Sequence, residues 1–122
     1  MLLKDFYTII NIQDSPDSYA IQVELNAKHD VYKGHFPEQP VVPGVCIMQL
    51  IKECVEGIKK QTLLYSQILS CKFISVVNPT ADNIIEIALT LADEKDGCIK
   101  IQADILQKGQ QTAKLKATLR IA

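Results

Sequence analysis

Along most of this chain apolar residues recur at every second position, and along one stretch they recur at every third or fourth. Tyr19, Ile21, Val23 and Leu25 alternate with Ala20, Gln22 and Glu24, which predicts a strand with one buried face and one wetter face. The β-rich run Tyr7 to Gln13 precedes it, and the turn formers Asp14-Ser15-Pro16-Asp17-Ser18 close the two into a hairpin. Alternation returns in Ile85, Ile87, Leu89 and Leu91, and again in Ile99, Ile101, Ala103 and Ile105. Strands are predicted over Gln67 to Val77, Asn83 to Asp93, Cys98 to Leu106 and Thr112 to Ile121. Turns are predicted at Asn78-Pro79-Thr80-Ala81-Asp82, Glu94-Lys95-Asp96-Gly97 and Gln107-Lys108-Gly109-Gln110.

The exception to the alternation is Val45 to Lys60, where Val45, Met48, Ile51, Val55 and Ile58 mark a helical face. Cys46, Ile47, Leu50 and Cys54 widen that stripe, as expected of a helix covered on more than one side. Pro43 suits its first turn, where a missing amide donor costs nothing. The order strand, strand, helix, then four consecutive antiparallel strands predicts an α+β domain in which a curved sheet buries one face against a single helix.

With 122 residues, 48% apolar and 22% charged residues and a net charge of −1, the chain fits one globular domain over residues 1–122. No basic surface for nucleic acid is implied. Cys46, Cys54, Cys71 and Cys98 lack the paired spacing of zinc sites and sit among apolar neighbours, which reads as reduced core thiols. Charge interrupts Met1-Leu2-Leu3-Lys4-Asp5-Phe6 too early for a signal peptide, and no apolar run approaches the ~20 residues of a membrane span. A cytoplasmic location is expected.

The candidate chemistry lies in Gly34-His35-Phe36-Pro37-Glu38-Gln39-Pro40-Val41-Val42-Pro43-Gly44-Val45, which sets one of two histidines in a proline-stiffened loop ahead of the helix. This segment resembles the signature of the 3-hydroxyacyl-acyl-carrier-protein dehydratases, hotdog-fold enzymes of fatty acid synthesis. The resemblance continues through Lys72-Phe73, Val76-Val77-Asn78-Pro79 and Asp82. It weakens at the N-terminus, where family members carry a longer segment that walls the acyl tunnel. The resemblance implies a hotdog fold, an antiparallel sheet wrapped around one central helix. It also implies elimination of water from a 3-hydroxyacyl thioester, which needs a base for the α proton, an acid for the departing hydroxyl and a donor to the thioester oxygen. His35 would be the base, with the Val41 carbonyl holding its ring. The Gly44 amide at the helix N-terminus would face the thioester oxygen, with Phe36, Pro43 and Val45 also lining the substrate. His29, beside Asp30, reads as surface or structural.

One position departs from the family. Six residues after Pro43, where the family carries a Glu or Asp acid, this chain has Gln49, and four residues later, where the family commonly has Gln, it has Glu53. An amide cannot give up a proton at neutral pH. Residues at i and i+4 share a helical face, so Glu53 is a candidate to supply the acid; the alternative is a solvated charge beside Lys52. Three functions follow: an active dehydratase using His35 with Gln49 or Glu53; a non-catalytic or partner-dependent acyl-thioester-binding subunit; and an acyl thioesterase. Expected partners are an acyl carrier protein bearing the substrate, which Lys28, Lys33 and Lys72 could meet, and a second hotdog chain in a homodimer, higher oligomer or heteromer. Elimination requires no metal or organic cofactor, and no ligand cluster indicates one.

Overall fold

The structure, a computed structural model, describes residues 5–32, 41–80, 82–93 and 95–122. Its elements are β1 (Tyr7–Asp14), β2 (Ser18–Leu25), a single-turn 3-10 segment (Asp30–Tyr32), α1 (Gly44–Lys59), β3 (Leu63–Phe73), β4 (Ile84–Asp93), a second 3-10 turn (Lys95–Gly97), β5 (Cys98–Gln107) and β6 (Gln110–Ile121). The six strands form one antiparallel sheet in the order β1-β2-β4-β5-β6-β3. This is the hotdog arrangement, one sheet curled around one helix.

Period-two alternation builds the inner wall. Ile21, Val23, Ile85, Ile87, Leu89, Ile101, Ala103, Ile105, Leu115, Ala117 and Leu119 are buried, and they meet Leu50, Ile51, Cys54 and Val55 of α1. The buried side of α1 also includes Cys46 and Ile47. It is therefore the set that widens the predicted stripe that faces the sheet, while Val45 is 69% exposed. The helix has turned relative to the Val45-Met48 line because the adjacent pairs 46/47, 50/51 and 54/55 form a denser apolar face. Pro43 is extended and stands just before the helix rather than in its first turn, and its carbonyl accepts the amides of Cys46 and Ile47.

The four strands after α1 are consecutive in the chain but not in the sheet. β3 pairs with β6 at the far edge, and it starts at Leu63 and ends at Phe73 rather than spanning Gln67 to Val77. Two side chains of α1 set its early start: Glu56 accepts the Leu63 amide at 2.8 Å and Lys52 donates to the Leu63 carbonyl at 3.2 Å. Its end is set by Thr112, whose carbonyl takes the amides of both Ile74 and Ser75. The turn after it is held by Gln107, whose Nε2 donates to the carbonyls of Asn78 and Asp82 at 2.8 and 2.7 Å. Asn78 in turn accepts from Thr80 in an Asx turn.

Candidate active site

The outward side of α1 carries the candidate residues Gln49 and Glu53. Val45, Gln49 and Glu53 follow one another at intervals of four, so they form a single ridge. Gln49 and Glu53 are half-buried, and Gln49 Nε2 donates to Glu53 Oε2 at 2.9 Å. The other carboxylate oxygen, Oε1, accepts the hydroxyl of Tyr7 at 2.9 Å. The sequence marks Tyr7 only as part of a strand. Its signal was only that an aromatic with a polar tip opens β1, which does not say what that tip meets.

Local folding fixes Tyr7. The preceding Phe6 is fully buried, stacked edge-on against His29 with ring centres 5.3 Å apart and lying near Tyr32. Asn26 ties this corner down, its amide bound to the Phe6 carbonyl and its Nδ2 to that of Asp5. His29 accepts the Val31 amide on Nδ1 at 3.0 Å, a place in the turn beneath β1. Burial first, and then the hydrogen bond to Glu53, push the Tyr7 phenol above its ordinary range, so it stays a donor.

Tyr7, Gln49, Lys52, Glu53, Glu56 and Lys60 border an open groove of ≈ 700 Å³. A separate cavity of ≈ 560 Å³ near Tyr19, Thr90 and Lys116 contains none of the candidate residues. Lys52 lies 3.9 Å from Glu56, which occupies both in holding Leu63.

At the helix start, no side chain caps α1. The first amides, of Gly44 and Val45, have no acceptor within the helix and lie at the positive end of its dipole. Glycine at position 44 lets the Phe73 ring lie close against the helix start: a Cβ would fall 2.7 Å from Phe73 Cζ. Val41 is half-buried and Val42 buried, with the Val42 amide donated to the Val77 carbonyl at 2.9 Å. This bond ties the end of the loop to the segment just after β3. Phe73, Ile74, Val76 and Val45 leave an apolar surface open around the helix N-terminus. Lys28 and Lys72 are exposed. His35, Phe36 and Lys33 lie outside the described residues, as do positions 34 and 37–40.

Among the described residues no group of three His, Cys, Asp or Glu side chains is placed to hold a metal ion, and no helix is long and apolar enough to cross a membrane. Chemically, the described part of the site offers a carboxylate held by two donors, uncapped helix amides and an apolar mouth.

Comparisons with known proteins agree with this fold. The family model for ApeI dehydratase, ApeI-like, matches residues 11–116. Curated relatives include 3-hydroxyacyl-[acyl-carrier-protein] dehydratase FabZ of Thermoanaerobacter sp. (strain X514), 27% identical over 88 residues, 66% of this chain and 61% of the relative. The FabZ of Latilactobacillus sakei is 32% identical over 89 residues, covering 66% of this chain and 62% of the relative. The chain thus spans about three fifths of these relatives' length. Among solved structures, a chain of the dehydratase heterocomplex ApeI:P from Xenorhabdus doucetiae superposes with a TM-score of 0.73 at 24% identity, covering 93% of this chain and 96% of that one. A sigma28-regulated virulence protein from Campylobacter jejuni shares the fold with a TM-score of 0.69 at 10% identity, over 100% of this chain and 88% of its own. With its family model running from β1 through most of β6, the chain belongs to the ApeI-like dehydratase family.

Proposed function

We propose that the protein removes water from a 3-hydroxyacyl thioester carried on an acyl carrier protein, with Glu53 as the acid in place of the residue at position 49. One observation carries this reading: the hydrogen bond from Gln49 puts the Glu53 carboxylate 2.9 Å from the side chain that occupies the family's acid position. The carboxyl group has moved one turn along the ridge without leaving the face.

In this scheme His35 takes a proton from C2 of the substrate, and the electron pair forms the C2–C3 double bond as the C3–O bond breaks. Protonated Glu53 gives its proton to the departing hydroxyl, releasing water and the 2-enoyl thioester. Charge that develops on the thioester oxygen meets the Gly44 amide, and Val45, Pro43, Phe36 and Phe73 flank the acyl chain. A second chain completes the sheet at β3, an edge strand with Leu64, Ile68 and Leu69 exposed.

A second reading is favoured by Gln49 itself, which has no proton to give at neutral pH: a subunit whose site another hotdog chain completes. Hydration of an enoyl thioester, followed by loss of its ultraviolet absorbance, separates the two. The purified chain should be active, His35→Ala inactive, and Glu53→Gln slower by about 10² or more, the usual loss with a general acid. Full activity in Glu53→Gln overturns the acid assignment. No activity alone but activity restored by Gln49→Glu supports the second reading.

A further inference from the structure

We propose that Tyr7 is a positioning residue that decides which oxygen of Glu53 carries the proton used in the reaction; this rests on the reading of Glu53 as the acid. The two hydrogen-bond partners of the carboxylate among the described residues differ in kind. Gln49 presents its amide nitrogen to Oε2, and that nitrogen can only donate. Tyr7 presents a hydroxyl to Oε1, and a hydroxyl can donate or accept by turning about its C–O bond. A proton on Oε2 would point at an N–H and be repelled. A proton on Oε1 faces an oxygen that can turn to receive it.

The same hydroxyl serves the other half of the cycle. When the Oε1 O–H swings from Tyr7 to the leaving oxygen and gives up its proton, the O–H electron pair stays on the carboxylate, and Tyr7 turns back to donate to Oε1, as it does in the structure. The geometry is suited to a switch of this kind. Phe6, buried beside Tyr7, fixes the start of β1, so the hydroxyl is delivered by the sheet. The Cys54 and Glu56 side chains of α1 also act on the charge of the Tyr7 hydroxyl, and Glu56, Lys52 and Lys60 border the groove. Among these, only Tyr7 and Gln49 hydrogen-bond the Glu53 carboxylate in the described structure.

The test is a carboxyl carbon NMR titration of Glu53 in protein labelled at the glutamate side chain, with the signal assigned by its loss in Glu53→Gln. Tyr7→Phe removes the hydroxyl bound to Oε1, so the pH dependence of the Glu53 carboxyl signal should differ from that of wild type. In the hydration assay the same variant should lose about tenfold in kcat with KM unchanged, and lose nothing further in a Glu53→Gln background. A Glu53 titration unmoved by Tyr7→Phe overturns the proposal, whether or not the chain is active alone. A moved titration with full activity in Glu53→Gln instead overturns the acid assignment and leaves the coupling between Tyr7 and Glu53 standing.

Discussion

The ring of Phe73 lies across Gly44, so close that a Cβ on Gly44 would meet Cζ at 2.7 Å. The end of β3 and the start of α1 are thus in contact at the point where the helix amides face outward. Gly44→Ala must push the ring away. Because Phe73 is half exposed, the ring can move. The thermal midpoint should stay within about 4 °C of wild type, while thioester hydration falls tenfold or more, roughly the cost of a small misplacement at a reacting centre.

Gly57 provides the opposite case in the same helix. Nothing lies within 4 Å of a Cβ built there, so Gly57→Ala adds helical preference without a clash. Differential scanning calorimetry should show a gain of about 1 kcal/mol, or ~4 °C.

Gln107 donates to two carbonyls of the turn between β3 and β4, those of Asn78 and Asp82. Gln107→Ala leaves both without that donor and should cost about 2 kcal/mol in urea unfolding, with the m-value unchanged. Gln107→Glu, which sets carboxylate against carbonyl, should cost more.

Burial pushes the Cys54 thiol from its usual 9.0 up to about 12. The folded state therefore keeps a proton that the unfolded chain gives up from about pH 9. Stability is intact below that point and falls as pH rises from 9 towards 12, at up to ~1.4 kcal/mol per pH unit for one group. Urea midpoints at pH 8 and pH 10.5 should differ less in Cys54→Ala than in wild type; equal pH slopes would remove Cys54 as a cause.

Ile68 pairs with Ala117, whose side chain is buried, yet Ile68 itself is 45% exposed at the open edge. Ile68→Lys places two like charges together if copies meet through β3. Light scattering should show a dimer for wild type that dissociates at least tenfold more readily in the variant; an unchanged mass would place the contact elsewhere.

Much of this fold was legible from spacing alone. Ile85 to Leu91 and Ile99 to Ile105 alternate cleanly because each lies in the middle of the sheet with one face on α1. β3 was less legible. Its register shifts between Tyr65 and Gln67 and between Ile68 and Ser70, and each shift breaks the alternation that marks a strand. Its long-range pairing with β6 leaves no local trace. At the site, the Gln49 and Glu53 pair could be read because i and i+4 neighbours are fixed by the helix itself. Tyr7 could not, since its bond to Glu53 spans 46 positions and depends on how β1 is laid over the helix.

The pairing of β3 with β6 also governs the order of assembly. Leu63 faces Ile121 and Phe73 faces Ala113, so β3 has no sheet partner within the chain until β6 has been made. During that interval Leu64, Ile68 and Leu69 belong to a segment with both backbone edges unpaired. Loop closure over such a distance is slow, and the waiting strand is an opening for association with the wrong chain. Pairing of β3 therefore waits on β6, and a change that slows β6 should slow folding more than any change within the hairpin of β1 and β2.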